Sequence, residues 1–317
     1  MLSRVADSIY WLNRYVERAE NVARFVDVNL NLLLDSPVGV QQQWRPLIVT
    51  TGDLALFTEK YGEFNSDNVI HFLTFDKDYP NSIVSCLQRA RENARSIREV
   101  ISSEMWEQIN AFYLMVTEAS QDSSSLIELS SFFAEVKMAS HLFAGVMDGT
   151  MSHNEGWHFG QIGRLLERAD KVTRILDVKY FILLPSVHDV GSTLDELQWI
   201  ALLKSASAYE MYRKRQHRIS PQEVAQFLIL EREFPRSLQF CLLQAERSLH
   251  QITGCTPGMW TDPVERHLGK LRSELDFITM DEIMEVGIHE FLDSVQARLN
   301  QLGKVIFESF FSFKLTA

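Results

Sequence analysis

Arginine and glutamate return at the same steps in two stretches of the chain. The first reads Arg14-Tyr15-Val16-Glu17-Arg18-Ala19-Glu20-Asn21-Val22-Ala23-Arg24-Phe25-Val26-Asp27. The second lies 150 residues later and reads Arg164-Leu165-Leu166-Glu167-Arg168-Ala169-Asp170-Lys171-Val172-Thr173-Arg174-Ile175-Leu176-Asp177. Both fit R-x-x-E-R-A-[ED]-x-V-x-R-x-x-D. The charges repeat while the apolar partners drift, Val16 to Leu166 and Phe25 to Ile175. A helix that needs only amphipathicity repeats polarity, not these particular residue types. Arginine presents a planar fork of donors that grips carboxylate or phosphate through parallel hydrogen bonds. Glutamate can act as a general acid or base, but beside guanidinium groups its pKa falls, which suits an ion-pair partner better. The candidate ligand- or partner-binding residues are therefore Arg14, Glu17, Arg18, Arg24, Arg164, Glu167, Arg168 and Arg174. Three arrangements satisfy the pattern. The charges could form a solvated face held by i,i+3 and i,i+4 pairs. Two related helices could face each other across a pseudo-twofold axis, each Glu clamped by an Arg of the other copy. Or the arginines could converge on an anion.

Other candidates are weaker. Arg91, Arg95 and Arg98 stack on one face of a helix, which reads as ordinary solvated surface. Glu155-Gly156-Trp157-His158 has the E-x-x-H spacing of helical di-iron sites, but no second copy accompanies it. His153 and Glu155 read as loop or capping residues. Cys86, Cys241 and Cys255 lack C-x-x-C spacing, so no structural zinc and no metal site is expected. There is no nucleophile elbow, phosphate-binding glycine loop or H-E-x-x-H, and no cofactor is expected.

These side chains are positioned by helices. Ile9, Leu12, Val16, Ala19, Ala23, Val26, Leu30 and Leu33 alternate by three and four, which predicts one helix from Ser3 to Asp35. On it Tyr10, Arg14, Glu17, Arg18, Asn21 and Arg24 lie opposite the apolar seam. The Asp35 to Gly39 turn ends it, and helices are predicted over Gln43 to Lys60, Asn65 to Phe75, Pro80 to Ile101, Glu104 to Val116 and Leu126 to Val146. A loop over Gln121 to Ser125 separates the last two. At a separation of 155 the first half is replayed: Gln43-Trp44 answers to Gln198-Trp199, Pro80 to Pro235 and Cys86-Leu87 to Cys241-Leu242. Ser220-Pro221-Gln222-Glu223 reads as a capping box with proline at its first helical position. Gly254 to Pro263 is a loop, and Asp281 to Phe311 a long closing helix. The fold class is all-α, an internally duplicated helical bundle with approximate twofold pseudosymmetry. Residues 1–151 and 152–317 would be its two repeats, packed as one unit.

The bulk numbers agree with a globular protein: 317 residues, 46% hydrophobic and 23% charged, with 8 Pro and 14 Gly. A net charge of -11 argues against nucleic acid or an anionic membrane as the main partner. Met1 to Trp11 carries Arg4 and Asp7 with no apolar core, so no signal peptide is expected, and a cytoplasmic location follows.

Three blocks together resemble the alpha-E family of all-helical bacterial proteins. They are the opening S-R-V-A-D-S-I-Y-W-L-N-R-Y-V-E-R-A-E-N-V-A-R, then D-x-x-x-P-x-S-I-x-x-C-L-x-x-A-R-E-N-A-R, then G-W-x-F-x-x-x-G-R-x-L-E-R-A-D. The family's Glu-Arg motif falls at Arg14, Glu17, Arg18, Arg164, Glu167 and Arg168. The resemblance implies partners: circularly permuted ATP-grasp ligases, transglutaminase-like proteins and sometimes proteasome-like peptidases. It implies work on amide-linked peptides or a modified protein. Two functions follow. One is a non-catalytic accessory or substrate-presenting subunit of an ATP-grasp amidoligase system, with an Arg/Glu-lined cleft for a peptide or other anionic group. The other is an enzyme of the same pathway using Glu17 or Glu167 as acid/base.

Overall fold

The protein was analysed as a computed structural model that describes residues 1–35, 44–121, 126–182, 193–256 and 258–312. Among these residues every regular element is helical. The first half contains α1 (Ser3–Asp35), α2 (Arg45–Thr51), α3 (Leu54–Lys60), α4 (Ser66–Thr74), α5 (Ile83–Ser96), α6 (Ser103–Ala119) and α7 (Leu126–Thr150). The second contains α8 (Glu155–Ile182), α9 (Thr193–Ser205), α10 (Tyr209–Arg215), α11 (Pro221–Leu230), α12 (Leu238–Thr253), α13 (Pro263–Phe277), α14 (Met280–Val286) and α15 (Ile288–Ile306). A π turn over Phe307–Phe311 ends the described chain.

Side-chain caps set many helix starts. Asn65, Ser82, Ser102 and Ser237 each accept a hydrogen bond from the amide three residues on. Asp262 and Thr279 form capping boxes with Glu265 and Glu282. Ser220 makes no such bond, so the box expected there is absent, although Pro221 does open the helix. Three predicted helices are shorter than expected. Gly52, at φ 82°, splits Gln43 to Lys60 into α2 and α3. Ser82 starts α5 two residues after Pro80, and the helix stops at Ser96 rather than Ile101. Gly287, at φ 99°, breaks the closing helix between α14 and α15. The turn after Asp35 and the serine loop at 122–125 lie outside the described residues.

The two longest helices, α1 and α8, are packed along each other and form the centre of the molecule. They run in the same direction, since Met1 meets Glu155, Tyr10 meets Gly163 and Glu17 meets Arg168. Each carries partners from both halves. Helix α1 packs on α5, α7 and α9, and α8 on α12, α15 and α2. The buried apolar residues form one continuous core. Of the three arrangements the charges allowed, the solvated face of α1 is not found, because Glu17, Glu20 and Asn21 are as buried as the apolar seam. A polar face buried this way must find its partners on the neighbouring helix.

Glycines bring the two backbones together. A Cβ on Gly163 would fall on the Tyr10 carbonyl oxygen, and one on Gly160 would lie 2.7 Å from Asn13 Nδ2. Several local arrangements recur 155 residues apart. Lys60 Nζ bonds Asp76 and Asp78 at 2.8 and 3.0 Å, and Arg215 bonds Glu231 and Glu233. Gly52 has its counterpart in Ser207, the one described non-glycine residue with positive φ, at 53°.

Candidate functional site

Between α1 and α8 the motif charges cross over. Glu167 of α8 accepts Arg18 Nε at 2.7 Å, Arg18 Nη2 at 2.9 Å and Arg14 Nε at 2.9 Å, all from α1. Glu17 of α1 accepts Arg168 Nε at 2.7 Å and Nη2 at 2.8 Å, both from α8. Each helix thus supplies a carboxylate to the other's arginine in a two-pronged grip. Of the remaining repeated charges, Arg164 meets only the neutral Gln161 Oε1 at 2.6 Å, and the others pair within or beside their own helix. Arg24 Nε donates to Glu20 at 2.9 Å, and Arg174 Nε to Asp170 at 2.9 Å. Asp27 holds Lys137 of α7 at 2.7 Å, and Asp177 holds His289 of α15 at 2.6 Å.

The two clamps differ in one residue that the motif does not contain. Arg236, directly after Pro235, reaches Glu17 at 3.3 Å and Glu20 at 2.9 Å. Its counterpart Asn81 instead accepts from Arg18 Nη1 at 2.5 Å. Arg236 sits inside the replayed block, but nothing in its local spacing marked it as a partner of a residue more than two hundred positions away. Asn21 Nδ2 adds a further donor to Glu17 at 3.1 Å. Arg168, Arg236 and Asn21 together place three donors on Oε1 of the Glu17 carboxylate and one on Oε2.

Burial and pairing compete at each carboxylate, and pairing wins. Burial pushes the Glu17 carboxyl up, but Arg168 and Arg236 hold it down at about 2. Burial likewise raises Glu167, and Arg18 and Arg14 bring it well below the usual range. Glu20 is raised by burial and lowered on balance by Arg236 and Arg24. All three are ionised at neutral pH, so none is poised to donate a proton.

A pH dependence follows, with its sign set by these directions. A folded carboxyl below its ordinary value near 4.5 contributes stability that is fully present above that value. The contribution is lost as pH falls from there toward about 2. The melting temperature is expected to stay level between neutrality and about pH 5, then to drop steeply. Glu17→Gln should flatten part of that drop. An unchanged slope in the variant would show that Glu17 is not held in its charged form.

The other candidates are distributed elsewhere. Arg95 and Arg98 are exposed, as expected, while Arg91 is half-buried, lies over Trp106 and Tyr113 and bonds Asn110 at 2.7 Å. Glu155 pairs with the N-terminal ammonium at 2.7 Å, and Asn154 rather than Glu155 caps the amide of Gly156. Cys86 and Cys241 are buried, and burial raises their thiols to about 11 and about 12. One grouping escaped the sequence reading. The ligating atoms of His250, Cys255 and Glu265 lie within 4.8 Å of one another. Its carboxylate already accepts Thr261 N at 2.6 Å and Asp262 N at 3.1 Å in capping α13, which competes with any role as a ligand.

What defines this protein is an all-helical architecture whose two central helices exchange Glu–Arg clamps. The chain belongs to the Alpha-E family, described as a predicted alpha-helical domain with a conserved ER motif, which matches residues 1–311. It is similar to uncharacterized proteins of Mycobacterium bovis and Mycobacterium tuberculosis, 23% identical over 327 residues. That match covers 96% of this chain and 36% of each relative, so the chain spans about a third of the length of those curated relatives. No solved structure matches it. No described helix is long and apolar enough to cross a membrane.

Proposed function

We propose that this protein is a non-catalytic helical accessory or substrate-presenting subunit of an ATP-grasp amidoligase system. One observation carries the reading: the motif glutamates are buried, ionised and gripped by arginines. A carboxylate in that state cannot trade protons with a substrate, which counts against Glu17 or Glu167 as acid/base. The clamps instead lock α1 to α8 in one relative placement, as a rigid platform requires. The ligase and the transglutaminase-like protein come from the family resemblance. The extra length of the mycobacterial relatives is compatible with a domain that works beside other domains.

The platform is, on this reading, two repeats, 1–151 and 152–317, related by an approximate twofold and packed as one unit. The crossed clamps support it, as do the matched ion pairs at Lys60 and Arg215 and the matched serine caps at Ser82 and Ser237.

The test is co-purification at native level, with mass spectrometry of whatever is retained. An ATP-grasp-type ligase should be enriched. The purified chain alone should show no ATP turnover, and turnover that disappears in a correctly folded Glu17→Gln or Glu167→Gln variant would overturn the accessory reading.

A further inference from the structure

Arg14 and Arg164 occupy the same motif position, yet only one of them is satisfied. Arg14 is committed to Glu167 and also donates to the Tyr10 hydroxyl at 3.1 Å. Arg164 has no carboxylate partner among the described residues. Its Nη2 donates to Gln161 Oε1 at 2.6 Å, and its Nε is buried with no acceptor. Glu17, the carboxylate that the crossed pattern would offer Arg164, is held instead by Arg168, Arg236 and Asn21. Burial and the neighbouring Arg168 push the Arg164 guanidinium down to about 10, still charged at neutral pH.

This unpaired cation lines an open cavity of about 550 Å³ between α8 and α12. Trp157 and His158 line the same space, and each carries a buried nitrogen without a partner, the donor Trp157 Nε1 and His158 Nδ1, whose role depends on the tautomer. Unsatisfied buried donors are uncommon in folded proteins, and two of them, Arg164 Nε and Trp157 Nε1, belong to residues that line this one cavity. Gln244, Gln251 and Ser248 on α12 add neutral hydrogen-bonding groups, and Arg247 sits at the exposed edge. Asp148 also lines the cavity and subtracts charge from it.

We propose that this cavity binds a ligand with a terminal carboxylate next to an amide, such as the C-terminal end of a short peptide. The carboxylate would sit on Arg164 and Trp157 Nε1. The α12 amides would face the neighbouring peptide group. A single half-buried guanidinium without an ion-pair partner, with a carboxylate nearby, suits a planar monoanion better than a phosphate dianion. The volume falls in the range of small-molecule sites and exceeds what an inorganic ion needs. The proposal deepens the substrate-presenting reading and rests on it only in regarding the ligand as a substrate.

The experiment is calorimetric titration of the full chain at fixed ionic strength with N-acetyl-alanyl-glutamine, its C-terminal amide and inorganic phosphate. The free acid should bind, and the amide at least tenfold more weakly. Arg164→Gln should weaken the acid at least tenfold, and Trp157→Phe several-fold. Arg164→Gln breaks no ion pair, so its melting temperature should equal or exceed that of the unaltered chain, which separates lost binding from lost folding. Equal binding of acid and amide, no binding of the acid at millimolar concentration, undiminished binding by Arg164→Gln, or phosphate binding as tight as the acid would each overturn the proposal. Ligase capture retained alongside failed titrations would sink this site and leave the accessory reading standing. Intact titrations without ligase capture would do the reverse.

Discussion

Glu167→Ala is expected to lower folding stability by about 3–5 kcal/mol, the usual cost of breaking a buried ion pair from one side. The Glu167 carboxylate is fully buried and is the acceptor for both Arg14 and Arg18. Their side chains are only 17% and 14% exposed, so neither can swing freely into water when the carboxylate goes. Two guanidinium groups would be left against an apolar core, with Lys171 Nζ nearby adding like charge. The loss comes from stranded charge and not from the absolute worth of the pair. Replacing Glu167, Arg14 and Arg18 together with apolar residues of similar volume should therefore recover much of it. Glu17→Ala should cost a similar amount, softened because Arg236 keeps Glu20 as a partner. Urea melts of the single and triple variants would measure both effects. A loss below about 1 kcal/mol for Glu167→Ala would mean that water reaches the clamp and that it behaves as a surface pair.

The second large effect is expected at Gly163, where Gly163→Ala should cost in the upper part of the ~1–3 kcal/mol seen for overpacking, and Gly163→Val more. The obstacle is backbone, the Tyr10 carbonyl oxygen, which cannot rotate away as a side-chain tip can. Relief requires α1 and α8 to separate. Arg14 lies one turn beyond Tyr10, and Glu167 one turn beyond Gly163, so separation would also stretch the clamp. Gly149→Ala in α7 is the comparison: its Cβ would meet nothing within 4 Å, and alanine is the better helix former by up to about 1 kcal/mol. Thermal melts should move in opposite directions for the two variants. A Gly163→Ala protein that melts like the unaltered chain would show that the helices are not held at this distance.

Much of this could be read before any coordinates. Three-and-four spacing of apolar residues determined that the chain is helical, because that period puts one stripe on one face whatever the surroundings. Asn65 marked one helix start by local chemistry alone. The repetition of residue types, beyond polarity, raised the possibility of carboxylates clamped across two related helices. Local signals failed where one glycine outweighed a periodic pattern, at Gly52 and Gly287. They failed at Ser220 too, where the residues of a capping box are present but the bond is not.

Only the tertiary structure decided which arginine is left over. Sequence makes Arg14 and Arg164 equivalent, but in the fold Arg14 reaches Glu167 while Glu17 is held by Arg168 and by Arg236, brought from 219 residues away. The charged face of α1 could be taken for a solvated one because amphipathicity reports polarity, and a polar face is buried only when a partner supplies matching charge. That partner, α8, can approach closely because Gly160 and Gly163 carry no side chain at the contact. The sequence determined which residues were available to pair, since helical period and charge are properties of a segment by itself. The fold decided which of them meet, because long-range packing settles which donors reach each carboxylate.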